Sequence, residues 1–325
     1  ARSSTYTKIW TPAAGEATST ALAASQGARA IVLQRLKVAP FIDARTTGRS
    51  RLRDESGVHQ LIVVVLTGGE SSAPSMGSVL LALSLVHQLV GTSAGMLLLT
   101  SGAVKPTARA STAPSDCASS GVWGFARVLR LEHVDLRMQT GDISHGIGAP
   151  SARAMLMAGA TTEPETAWEG STRYVARLRS CSMASMASQA KCGLVCGSYA
   201  ISGGLGGLGR RAATLLLEHG ATRLVLASRS GRASASSTAL PRHAHVVACD
   251  LDDCADAQAM MQCFPLSGIL HAAGVLRDSM AVSVVGQHVQ YVCGAKAVGA
   301  SHLHACSATL PLEAAVFFSS ITALM

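Results

Sequence analysis

The residues whose types and spacing could carry chemistry lie between positions 203 and 320. Gly203-Gly204-Leu205-Gly206-Gly207-Leu208-Gly209 contains the spacing G-x-G-x-x-G and runs straight into a helical pattern from Arg210 to Glu218. Glycines let a chain turn tightly and come close to a pyrophosphate, whose charge is held by the unpaired N–H groups at a helix start. Alone such a loop is a weak signal; between a strand at Tyr199-Ala200-Ile201-Ser202 and that helix it favours a dinucleotide over a merely flexible turn. The second strand then ends in Ser228 and Arg229, where an acidic residue would accept from a ribose 2′-hydroxyl and an arginine would instead pair with a 2′-phosphate. That favours NADPH, a solvated surface arginine being the alternative. Asp250 and Leu251 at the end of the third strand are placed to meet the adenine, and His271-Ala272-Ala273-Gly274 at the end of the fourth to meet the ribose and nicotinamide.

Two further residues stand out by position. Lys296 falls within an apolar stripe of Val285, Val289, Val292, Gly299, Ala300 and Leu303. A lysine facing a core is costly unless its ammonium has a partner or a task, and a stem that reaches the surface is the alternative. Ser320 follows Ala315-Val316-Phe317-Phe318-Ser319 at the end of a buried strand, where a hydroxyl can face the cleft, although an ordinary strand-end serine is common.

The elements that must position these groups alternate. The pattern predicts strands at 198–203, 223–228, 245–249, 268–272 and 314–319, with helices at 207–218, 253–262 and 285–304. Such alternation means an α/β fold, a doubly wound parallel sheet with helices on both faces. An earlier lobe repeats the rhythm more faintly. Leu61–Leu66 and Met96–Leu99 read as buried strands, and Gly121–Glu132 as a helix burying Val122, Phe125, Ala126 and Leu129. Leu97–Ala103 echoes Leu224–Gly231, which suggests a degenerate duplication without a glycine loop of its own. The polar stretch Cys181–Lys191 divides the two, giving lobes at 1–185 and 192–325, and Arg232–Leu240 reads as a surface loop.

Composition excludes several classes. With 48% hydrophobic and 14% charged residues, a chain of 325 residues can bury a core and is not disordered. The most apolar stretch, Ser75–Val104, is broken by His87, Gln88, Thr92 and Ser93, so no membrane span is expected. The net charge of +8 comes from scattered Lys and Arg with only 4% aromatics, without the basic stripe that nucleic acid would require. Nine cysteines lack paired metal-binding spacing, so no metal is expected, and reduced thiols in a cytoplasmic compartment are.

The phrases SYAISGGLGGLGR, RLVLASRSG, HAAGVLRDSM, GAKAVGASHLH and AVFFSSITAL stand in this order and cover nearly all of residues 197–325. Together they resemble the ketoreductase domains of type I modular polyketide synthases and animal-type fatty acid synthases, a branch of the short-chain dehydrogenase/reductase superfamily. SGVWGFARVLRLEH and STRYVARLRS resemble the truncated, non-catalytic subdomain that precedes the glycine loop in that family. The resemblance implies a Rossmann-like sheet preceded by a truncated Rossmann-like structural subdomain. It implies NADPH-dependent reduction of a β-ketoacyl thioester carried by the phosphopantetheine of an acyl carrier protein, beside other synthase domains in one polypeptide. Lys296 matches the catalytic lysine, whose charge lowers a neighbouring tyrosine's pKa, and Ser320 matches the serine that hydrogen-bonds the substrate carbonyl. The tyrosine and an asparagine are expected beyond Met325, so the 325 residues alone are expected to be inactive.

Leu276 and Asp278 match the L-x-D signature of ketoreductases giving the D-configured hydroxyl, with Arg277 where an aspartate is usual. Otherwise Asp278 could pair with Arg277 or cap the next helix. Residues 230–249 are too few for the family's usual helix, which is expected to be shortened or lost. Two other readings remain: a scaffold whose dinucleotide lobe has decayed, which would not bind NADPH, and a free-standing short-chain reductase, which would not carry so long a segment before its glycine loop.

Overall fold

The computed structural model of the chain describes residues 5–12, 31–33, 61–66, 74–92, 95–106, 117–143, 163–181, 196–232 and 243–320. They divide into two compact units, Ala1–Cys181 with Met280–Val284, and Ser182–Ser279 with Val285–Met325.

The first unit is built on a seven-stranded sheet in the order β1-β7-β6-β5-β4-β3-β2. Its strands are β1 (Thr5–Pro12), β2 (Ile31–Leu33), β3 (Leu61–Val65), β4 (Gly95–Ser101), β5 (Gln139–Ile143), β6 (Glu165–Glu169) and β7 (Thr172–Cys181). Strands β2 to β6 run parallel in sequence order, and β7 and β1 add antiparallel. Helix α1 (Met76–Leu89) buries Val79, Ala82, Leu83, Leu85 and Val86. Helix α2 (Gly121–Glu132) buries Val122, Trp123, Ala126 and Leu129, whereas Phe125 is only half-buried. Trp123 takes the inner position because its indole N–H has a buried acceptor there, donating to Thr100 Oγ1 at 3.0 Å.

Among the described residues of this unit, the buried carboxylates have partners. Glu165, 6% exposed, accepts from Arg127 Nε at 2.6 Å and Nη2 at 3.0 Å, and from Arg130 Nη2 at 2.8 Å. Burial holds the Arg130 guanidinium below its usual pKa against the opposing pull of Glu165. Met280–Val284 belongs to the same unit through Ala281, whose N–H donates to Glu132 Oε2 at 2.6 Å and whose carbonyl accepts from His87 Nε2 at 3.0 Å.

The second unit is a five-stranded, fully parallel sheet in the order β10-β9-β8-β11-β12. Its strands are β8 (Ser198–Ser202), β9 (Arg223–Ser228), β10 (Ala244–Ala248), β11 (Gly268–His271) and β12 (Ala314–Phe317). Helices α3 (Gly207–Glu218) and α4 (Cys254–Gln262) match the predicted spans closely. The predicted single helix at 285–304 is instead α5 (Gly286–Cys293), a π-helical turn at Gly294–Val298, and α6 (Gly299–Ser307). Two apolar clusters form around the sheet: one gathers Ala200, Val225, Leu251, Met260, Met261 and Leu303, the other Tyr199, Ile201, Ala213, Leu216 and Leu226. This alternation of inward residues on both faces is what near-continuous apolar parallel strands are for. The expected shortening of the helix between β9 and β10 falls on residues 233–242, outside the described residues. No described helix is long and apolar enough to cross a membrane.

Candidate active site

The registers of the second sheet set the site. Val247, Ala227, Ser202, His271 and Phe317 stand side by side across the five strands. The predicted site residues of the glycine turn, Ser228, Arg229, Asp250, Leu251 and Ala272 to Gly274 all follow directly after this row, on the carboxyl edge. The strand order reverses direction at β8, between β9 on one side and β11 on the other, and in open α/β sheets the crevice forms at such a reversal.

A cleft of about 230 Å³ occupies that place. Of the expected cofactor residues it is lined by Gly203, Gly206, Ser228, Arg229, Asp250, Leu251, Ala272, Ala273 and Gly274. Gly204, Leu205, Gly207, Leu208, Gly209 and His271 do not line it and serve the turn and the sheet edge instead. Gly203 has φ +66°, and a Cβ there would stand 2.7 Å from the Ala273 backbone, so the turn closes only with glycine. A Cβ on Gly209 would strike the Gly203 carbonyl, which seats α3 hard against the turn. Gly206 caps α3 without a side chain, so the first-turn N–H groups keep no side-chain acceptor and can take an anion. These features fit the pyrophosphate of a dinucleotide.

His271 acts beneath the cleft rather than in it. It is 4% exposed, with Nε2 3.1 Å from the Lys296 carbonyl and Nδ1 2.7 Å from Ser202 Oγ. A carbonyl can only accept, so Nε2 carries the proton and Nδ1 accepts from the Ser202 hydroxyl. Burial holds the imidazole below its usual pKa, the bond to the Lys296 carbonyl opposing and the Lys296 charge assisting. A neutral histidine thus ties the ends of β8 and β11 to the π-turn. Cys249, also lining the cleft, is an inert thiol, pushed up to about 11 chiefly by burial, with Asp256 and Asp250 adding to it.

The expected core position of Lys296 is corrected by the structure, because the residue is exposed. The π-turn carries one residue more per turn than an α-helix and so rotates Lys296 out of the stripe. Its stem passes over Gly274, where a Cβ would meet Cε at 2.7 Å, so the lysine lies against the predicted nicotinamide segment after all. Strand β12 ends at Phe317 rather than 319, though the Phe318 N–H still bonds the His271 carbonyl at 3.1 Å. Ser320 is exposed just beyond, on the same carboxyl edge as His271 and its partner Lys296. Asp278 is exposed and, among the described residues, neither pairs with Arg277 nor caps α5, whose N-cap is Val285.

Sequence reasoning missed Ser202, Tyr291 and Ala295. Ser202 could have been found as the polar end of an otherwise apolar strand. Tyr291 carries no motif and enters through tertiary geometry alone, with the guanidinium carbons of Arg229 and Arg277 at 4.6 and 5.2 Å from its ring centre. Among the described residues no group of His, Cys, Asp and Glu could hold a metal ion.

Comparison with known proteins agrees with this geometry. Residues 197–325 match the KR domain family. The chain is 31% identical over 261 residues to polyketide synthase GfsA of Streptomyces halstedii, covering 75% of this chain and 4% of that protein. It is 30% identical over 295 residues to a phenolphthiocerol/phthiocerol polyketide synthase of Mycobacterium tuberculosis, covering 81% of this chain and 16% of that one. The chain therefore spans a small part of these relatives. Among solved structures, A-type ketoreductases from a modular polyketide synthase align with TM-score 0.68 and 28% identity over 80% of this chain and 58% of theirs. The ketoreductase from the first module of phoslactomycin biosynthesis in Streptomyces sp. HK803 shares the fold across 98% of this chain and 72% of its own, with TM-score 0.72 at 24% identity. The chain thus takes its place among polyketide synthase ketoreductases, with residues 197–325 as its KR domain.

Proposed function

We propose that the second unit holds NADPH and serves the reduction of a β-ketoacyl thioester, presented by an acyl carrier protein within a larger synthase, to the β-hydroxyacyl form. The observation that carries this reading is the cleft at the β8 reversal, where Gly203, Ser228, Arg229, Asp250 and Gly274 meet. The glycine turn and the uncapped start of α3 take the pyrophosphate, and Ser228 with Arg229 the 2′-phosphate. Asp250 and Leu251 flank the adenine, and Ala272 to Gly274 the ribose and nicotinamide. Bound there, the dinucleotide supplies a hydride to the substrate carbonyl carbon.

The chain's own residues prepare that carbon. The Ser320 hydroxyl donates to the carbonyl oxygen, where negative charge builds as the hydride arrives. The Lys296 ammonium, lying over Gly274, favours the ionised form of the phenol that acts as proton donor in the family this chain resembles, and so lowers its pKa. His271 holds the Lys296 backbone and is a positioning residue. The Leu276 to Asp278 spacing supports a D-configured hydroxyl; an L-configured product on chiral analysis would refute that assignment.

Titration of the chain with NADPH, followed by nicotinamide fluorescence, tests the reading. Saturable binding is expected, and a flat titration would leave the chain a scaffold. In the full-length synthase, Ser320→Ala is expected to lower reduction of a model β-ketothioester by about a hundredfold, the cost of losing one oxyanion donor. NADPH affinity should be unchanged.

A further inference from the structure

Arg229 follows β9 and Arg277 follows β11, yet both guanidinium groups rest on the ring of Tyr291 in α5, at 4.6 and 5.2 Å. Two like charges sharing one ring repel each other. The ring's quadrupole returns only about 0.5–1 kcal/mol to each at an exposed site, and Tyr291 is 39% exposed. Among the described residues no internal counter-charge answers them. Ion pairs such as those of Arg127, Arg130 and Arg177 with Glu165 and Glu163 lie in the other unit, and Asp278, next to Arg277 in the chain, makes none with it among the described residues. Asp250 lines the same space as Arg229, but its carboxylate accepts from the Asp252 N–H near its own strand end.

Each guanidinium offers a planar fork of donors suited to phosphate oxygens, and both stand over the one ring of Tyr291. Arg229 lines the cleft at the strand end where a ribose 2′ substituent falls, and Ala295, one turn beyond Tyr291, lines it too. We propose that Arg277 joins Arg229 on Tyr291 to form a two-arginine site for the 2′-phosphate of NADPH, making Arg277 a second determinant of the choice against NADH. This rests on the dinucleotide reading above and adds to it a residue far from the glycine turn in sequence.

The test is a fluorescence titration of the full chain and its Arg229→Ala and Arg277→Ala variants with NADPH and with NADH. Arg277→Ala is expected to weaken NADPH about tenfold, equivalent to about 1.4 kcal/mol, and to leave NADH unchanged. Arg277→Lys, which keeps the charge without the fork, should fall between. Arg277 is exposed, so the variants should melt at the temperature of the parent chain. If Arg229→Ala loses NADPH selectivity while Arg277→Ala does not, this inference fails and the cofactor reading stands. Equal weakening of NADPH and NADH by Arg277→Ala would also overturn it. Failure of the parent chain to saturate with either nucleotide would overturn both.

Discussion

Both units are built on sheets whose central strands run parallel, yet among the described residues the crevice at a carboxyl edge is found in the second. In the first, β2 to β6 follow one another in sequence order without reversal. The loop after β4 is drawn onto the protein's own carboxylate: Asp142, 1% exposed, accepts from the Ala103 N–H at 2.9 Å, the Val104 N–H at 3.2 Å and the Thr100 hydroxyl. In the second, the order reverses at β8, and the loop there ends in a helix start with no side-chain acceptor. One unit has spent its loop N–H groups on an internal anion, and the other leaves the first turn of its helix without a side-chain acceptor, as the proposed pyrophosphate site requires. The lesson is that an α/β sheet becomes a binding site through strand order and the satisfaction of its loops, not through having the strands.

The largest effect expected from breaking this contrast is in the first unit. Glu165→Ala leaves Arg127 and Arg130 partly buried without their counter-charge, and should destabilise the chain by about 3–5 kcal/mol, read as a lower urea midpoint. NADPH affinity measured well below that midpoint should hold. Next, in the second unit, Gly203→Ala forces a Cβ onto the Ala273 backbone at positive φ, at a cost of about 1–3 kcal/mol. Here the titration should lose saturation while the first unit stays folded, as shown by unchanged proteolytic protection of its fragments. A third change separates support from contact. Ser202→Ala leaves His271 Nδ1 buried without a donor, a loss of about 1–3 kcal/mol.

The same histidine gives a pH test. Its folded pKa lies below the ordinary value of 6.5, so the unfolded chain binds the proton more readily. Its contribution is fully present above pH 6.5 and is lost as pH falls through that value toward the folded pKa. Stability should therefore fall less steeply on acidification in His271→Gln than in the parent chain; identical pH slopes would mean that His271 is not the group responsible. The smallest effect belongs to Arg177→Ala. Its bond to Glu163 at 2.6 Å lies half in solvent, and the change should cost no more than about 1 kcal/mol by thermal melting.

Much of the second unit is legible in the sequence because its signals are local. The glycine spacing dictates a turn, the apolar runs at Leu224–Ala227 and Ile269–Leu270 dictate buried strands, and Asp253 caps α4 through the Ala255 N–H at 2.8 Å. Periodicity misplaces Lys296 because it assumes an unbroken α-helix, whereas the π-turn turns that residue outward while Gly299 and Leu303 beyond it stay buried as the stripe predicts. Likewise Phe125 and Trp123 exchange roles on α2, since apolarity alone does not reveal a buried acceptor at Thr100.

What the sequence determined by itself is the order of strands and helices, the glycine turn and the cation after β9, because each follows from the conformational limits of a few adjacent residues. Only tertiary structure decided that β8 sits between β9 and β11, that Ser202, His271 and Lys296 form one hydrogen-bonded line, and that Arg229 and Arg277 meet on Tyr291. These are contacts between segments far apart in the chain, whose free energy depends on packing and burial that no local pattern encodes.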